Sequence, residues 1–207
     1  MIKKDYAINY KKGAMFGLDA RIALAMFGAL SVISGAALYS AIQDAKVTQM
    51  ITQMQEVLKA TEAYALDTGA DLPYDNVSTT YRTKILDLVK NNAGVDNWQG
   101  PYLPFSETDV DVTSEDFIKV FGYNLYTGYY QKDVDSLGGW TDHIKPCETG
   151  KPCFAIAAFS LVESSLLEKI DQKIDNGDGS DVGTFRYYSP GASGWAWLIG
   201  FPKLNQP

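Results

Sequence analysis

One histidine, His143, and two cysteines, Cys147 and Cys153, are all that 207 residues hold of the side chains most used in nucleophilic and metal chemistry. A zinc site needs more ligands than these supply, and a C-x-x-C redox pair needs two intervening residues where this chain has Glu-Thr-Gly-Lys-Pro. The G-x-S-x-G, H-E-x-x-H, Walker A and dinucleotide-binding glycine patterns are all missing. A Ser-His-Asp triad would have to use His143 within Trp140-Thr141-Asp142-His143, where Asp142 is only a neighbour in sequence, so a surface histidine is the better reading. Carboxylate pairs can be drawn in many ways from 25 Asp and Glu and therefore discriminate nothing. The expectation is a protein that is not an enzyme. Basic residues are also scarce, and a formal net charge of −7 argues against nucleic acid as the main partner, because a phosphate backbone asks for clustered Lys and Arg. Hydrophobic and charged fractions of 46% and 21% exclude a disordered or collagen-like chain. Proline does not occur before Pro73, which leaves a long N-terminal stretch free of its strongest helix breaker.

That stretch is filled by an apolar run. Ile22 to Ile42 is twenty-one residues without a charge. At about 1.5 Å per residue a helix of this length spans roughly 31 Å, the hydrocarbon thickness of a bilayer. Lys3, Lys4, Lys11, Lys12 and Arg21 outweigh Asp5 and Asp19 over residues 1–42, a net of +3, whereas the other 165 residues carry 13 basic and 23 acidic groups, a net of −10. The positive-inside rule then keeps Met1 cytoplasmic and exports the residues beyond the run. A cleaved secretory signal is the alternative, but its apolar core is shorter, about 7–15 residues, and Ser34-Gly35-Ala36 is the only passable cut. Retention of the segment as an anchor is favoured.

The helix is expected to outrun the membrane. Val47, Ile51, Met54, Leu58, Thr61 and Ala65 recur at spacings of four and three, as one apolar helix face does, with Gln43, Asp44, Lys46, Gln49, Gln53, Glu56 and Lys59 as polar neighbours. Thr68-Gly69 supplies a stop, so one helix is expected from about Asp19 to Asp67. Eleven of the twenty-one residues in the apolar run are Ala, Gly or Ser, and Ser31 and Gly35 form a small-xxx-small pair. Such residues allow close helix–helix approach in lipid, although a plain single-pass anchor also contains them.

A short basic leader, a cut, an acidic residue five places after it and a long apolar helix that turns amphipathic resemble the type IV pilins and type II secretion pseudopilins. In Lys11-Lys12-Gly13-Ala14-Met15 the resemblance places the cut after Ala14, makes Met15 the first mature residue and puts Asp19 in the slot of the family's usual glutamate. A cut after Gly13 would instead bring Leu18 to that slot. Asn97-Trp98-Gln99-Gly100-Pro101-Tyr102 is similar to the family's Trp-Gly-x-Pro-Tyr segment, and Ile170 to Gly177 resembles a stretch common in minor pilin-like proteins. The resemblance implies an α+β, pilin-like fold: a membrane-spanning then amphipathic helix packed on a small antiparallel sheet with an additional helix. It divides the chain into a basic leader (1–14), a transmembrane helix (15–42), its amphipathic continuation (43–67) and an α/β head (68–207). The implied role is a structural subunit of a type IV pilus-like or pseudopilus filament. Its partners would be like subunits or other pilin-like proteins through the N-terminal helix, a prepilin peptidase, the inner-membrane assembly machinery and the membrane itself. The subunit would sit in the inner membrane with a periplasmic head, extracellular once in a fibre. A reading from a different class stays open: a signal-anchored periplasmic binding module or enzyme that never polymerises.

Within the head, Phe117 to Tyr130, Cys153 to Phe159, Tyr187-Tyr188 and Trp195 to Phe201 read as strands from their aromatic and β-branched content. Ser160-Leu161-Val162-Glu163 matches a capping box, with Val162, Leu166, Ile170 and Ile174 as the helix face behind it and Gly177 as its end. Cys147 and Cys153 would close a small disulfide loop in an exported domain, two unpaired thiols being the alternative. Asp175, Asp178 and Asp181 stand three apart in a glycine-rich loop of oxygen donors suited to calcium. The EF-hand spacing fails, so calcium competes there with a solvated acidic turn.

Overall fold

The computed structural model describes residues 13–75, 81–111, 113–132 and 144–207, the first four of these as backbone only. Its longest element is helix α1 (Gly13–Thr68, 56 residues), which begins six residues before the sequence expectation and ends one residue after it. The stop is the anticipated one: Gly69 adopts a left-handed φ of 66° and returns its N–H to the Ala65 carbonyl at 3.0 Å. The chain divides into two compact units, Met1–Ala45 and Lys46–Pro207.

In the first unit every described side chain from Leu18 to Ile42 is exposed. Leu24, Phe27 and Val32 are 70%, 72% and 74% exposed, an apolar surface that water does not favour. By length and composition this helix is a candidate membrane span.

The second unit is built on a six-stranded antiparallel sheet. Strands β1 (Phe117–Val120), β2 (Tyr123–Gln131), β4 (Cys153–Glu163), β6 (Ser193–Pro202) and β5 (Phe185–Tyr188) lie in the order β1-β2-β4-β6-β5, and β3 (Lys145–Pro146) pairs with the end of β2. The expected single strand from Phe117 to Tyr130 is a hairpin, because Phe121 and Gly122 both take positive φ and reverse the chain. Alternation splits each strand between two faces. Leu125 and Tyr129 of β2, Ala155, Ala157 and Phe159 of β4, and Ala196 and Leu198 of β6 join one core with Val47, Met50, Met54, Val57 and Tyr64 of α1. The alanines on the central strands let the helix come close. A Cβ on Gly200 of β6 would stand 2.6 Å from a Leu58 methyl of α1. Across the same seam Thr61 Oγ1 meets Thr127 Oγ1 at 3.3 Å. On the opposite face Tyr130, Ile156, Ala158, Trp197 and Ile144 form a second apolar cluster.

Helix α2 (Ser164–Ile174) follows β4 directly and buries Leu166, Leu167 and Ile170 in the first core. The expected capping box at Ser160 does not form. Ser160 lies inside β4, paired with Asn124 on one side and Trp195 on the other. The ladder to β6 continues to Glu163, so sheet pairing takes the backbone groups that a helix cap would have used. A capping box occurs elsewhere: Ser106 and Asp109 exchange side-chain and backbone bonds around a short 3-10 helix at Glu107–Asp109.

Candidate functional site

Asp19 is an exposed residue of α1, three positions before the charge-free run. Ser31 and Gly35 lie on the same bare helix, and a Cβ at Gly28 or Gly35 would meet nothing within 4 Å. The first unit thus offers an apolar surface with small residues in it and a carboxylate at its start. Gly13, Ala14 and Met15 fall in the first turn of α1, where the structure describes backbone alone. The basic leader before them, together with Asp142 and His143, lies outside the described residues.

The segment singled out by its aromatics braces the end of α1. Trp98 donates its indole N–H to the Asp87 carbonyl at 2.9 Å, and its ring meets Tyr102 edge-on at 5.6 Å. Tyr102 donates in turn to Asp67 at 3.0 Å and packs edge-on against Tyr64, both residues of α1. Gly100 sits under the Trp98 ring, where a Cβ would come within 2.5 Å of it. Only glycine fits that approach.

Cys147 and Cys153 come to disulfide distance, Cα–Cα 5.7 Å, through sheet pairing. Gln131 at the end of β2 is the register partner of Lys145 in β3 and of Cys153 in β4, so the loop between those strands closes over one short edge. Cys153 is fully buried, and the Lys203 N–H donates to its carbonyl at 2.8 Å.

The acidic loop is assembled at the C-terminal end of α2. Asp171 and Asp175 are one helical turn apart and share a face, and Asn176 and Gly177, at φ 60° and 73°, swing the chain back so that Asp178 joins them. One carboxylate oxygen from each of Asp171, Asp175 and Asp178 lies within 4.8 Å of the others. Asp181, expected with them, is not part of this group, and Asp171 stands in its place. The signal for Asp171 is present in the sequence, as an acidic residue one turn before Asp175 on the apolar face of Leu167 and Ile170. Asp171 is 4% exposed and its Oδ1 has no hydrogen-bond partner. Burial, opposed by a bond from the Gly179 N–H, raises its carboxyl above the ordinary range, and the charges of Asp178 and Asp175 raise it further. Asp175 is held by three donors: the Thr184 and Phe185 N–H groups at 2.9 and 2.6 Å and the Thr184 hydroxyl at 2.8 Å. Together they tie α2 to the start of β5.

A comparison with protein-family models, curated proteins and solved structures finds no match for this chain.

Proposed function

We propose that the chain is a pilin-like subunit of a type IV pilus-like or type II secretion pseudopilus filament, assembling through its N-terminal helix. The observation that carries the reading is the changing character of α1. Its first part is bare and apolar, with Asp19 at the start of the apolar run, and its second part is the spine of an α+β unit with an antiparallel sheet. A helix of the first kind asks for lipid or for helices like itself. The resemblance of residues 11–30 to a processed leader and apolar helix adds the order of events. The membrane stores the subunit with its basic end cytoplasmic and its head periplasmic, a peptidase removes residues 1–14, and the assembly machinery moves the helix into a bundle.

In that bundle an unpaired carboxylate among apolar helices is costly, whereas a paired one is tolerated. Asp19 finds its cation in the amine freed at Met15 of an adjacent copy. At the cytoplasmic interface of a simple anchor, by contrast, water and Arg21 screen the same carboxylate. Asp19→Ala therefore separates the two cases. The expected variant is expressed, inserted and trimmed like the wild type, but its share of sheared filaments falls about tenfold, the scale of one lost charge pair. Asp19→Glu restores assembly, because it keeps the charge with one more methylene of reach. Normal filament incorporation by Asp19→Ala contradicts the pairing, and a wild-type protein that forms no filament under any assembly condition favours the anchored module.

A further inference from the structure

We propose that Asp171, Asp175 and Asp178 form a binding site for one hard divalent cation, calcium in preference to magnesium, at the junction of α2 with the loop leading to β5. Two independent observations meet there. Three carboxylates each offer an oxygen within 4.8 Å of the other two, and the most buried of them, Asp171, is 4% exposed with an Oδ1 that no donor reaches. A buried carboxylate oxygen without a donor is costly, and two further carboxylates beside it make the charge harder to hold. A cation removes both costs at once.

The donor set selects the ion. All three ligands are hard carboxylate oxygens, which favour calcium or magnesium over the metals that prefer imidazole or thiolate. Magnesium keeps several waters and takes one or two carboxylates, so a cluster of three carboxylates suits calcium better. Gly183 packs against two of the three carboxylates: a Cβ there would lie 2.5 Å from Asp175 Oδ2 and 2.8 Å from Asp178 Oδ2, so any other residue would push them out of place. Asp175 serves both purposes through Oδ1, which accepts one bond, from the Thr184 hydroxyl, and keeps a second lone pair, while Oδ2 takes the Thr184 and Phe185 N–H groups. Asp178 is exposed and gives the ion its way in from solvent. Bound there, the ion would fasten the last turn of α2 to the first residues of β5.

The test uses the full-length protein in detergent micelles, stripped with EDTA and titrated by calorimetry with calcium chloride and, separately, magnesium chloride. The expected result is one calcium per chain, magnesium weaker by about tenfold or more, and a melting temperature raised by calcium. Asp171→Asn should weaken calcium by about tenfold or more and, without any metal, melt above the wild type because a buried repulsion is gone. Asp178→Asn changes an exposed residue and should weaken calcium to a similar degree, so a poorly folding Asp171→Asn leaves the proposal testable. Asp181→Asn should bind like the wild type. Absence of binding heat and of any melting shift with millimolar calcium overturns the proposal. Calcium affinity undiminished in both Asp171→Asn and Asp178→Asn overturns it as well.

Discussion

Tyr123 donates its hydroxyl hydrogen to Glu163, joining the β1–β2 hairpin to the last residue of β4. That bond, acting against some burial, holds the Glu163 carboxyl below its ordinary range. A carboxylate with a depressed folded-state value adds stability above its unfolded value and loses it as the pH falls through the folded one. Tyr123→Phe should therefore cost about 1 kcal/mol near neutral pH. The gap between wild type and variant should close as the pH falls through the depressed Glu163 value, below which both proteins carry a protonated Glu163. Thermal melts at a series of pH values read this directly. A gap that stays constant into acid would mean that Tyr123 acts through packing, with no part for the hydrogen bond. Asp171 has the opposite sign. Its carboxyl is raised, so its ionised form detracts from stability as the pH climbs through the folded value, and its contribution partly offsets that of Glu163 in acid.

At the scale of elements, α1 carries a seam in which Val47, Met50, Met54, Val57, Thr61 and Tyr64 are buried at alternating spacings of three and four. The stripe expected from the sequence shares Val47, Met54 and Thr61 with it and includes Ala65, also buried, but takes Ile51 and Leu58, which are half-buried, as other members. Both sets obey helical periodicity. Which flank of the central row goes deeper is decided by where the sheet lies, a tertiary fact that a one-dimensional pattern does not contain. Met54, fully buried at the centre of that row, should cost about 3 kcal/mol as Met54→Ala, whereas Leu66, 78% exposed on the same helix, should change stability by less than about 0.5 kcal/mol as Leu66→Ala. Chemical denaturation of the protein in detergent measures both. Equal effects would contradict the packing of α1 on the sheet. The start of α2 departs from expectation for a related reason: Ser160 and Glu163 match a capping signature locally, but the long ladder between β4 and β6 claims them first. The strands are legible in the sequence because aromatic runs broken by glycine carry their own local signal. Asp175 and Asp178 are legible as a loop of oxygen donors, whereas Asp171 carries only the weaker signal of an acidic residue on the apolar face of its helix, one turn before Asp175.

For the whole molecule, two kinds of unit share one helix. Among the described residues, the large apolar side chains from Leu18 to Ile42 are exposed, whereas the unit of residues 46–207 buries an apolar core around its sheet. Charge follows the same division, with a basic excess of +3 over residues 1–42 and an acidic excess of −10 over the rest. An anchored module would need all of this except one thing, a processed N-terminus that brings a free amine near Asp19. Leader removal is thus the step on which the filament reading depends, and intact-mass spectrometry of the protein extracted from membranes, with sequencing of its first peptide, tests it most directly. The filament reading predicts a mature chain that begins at Met15 and lacks the mass of residues 1–14, with the full-length species restored when the prepilin peptidase is removed. A membrane-extracted protein that keeps residues 1–14 in the presence of that peptidase would contradict it.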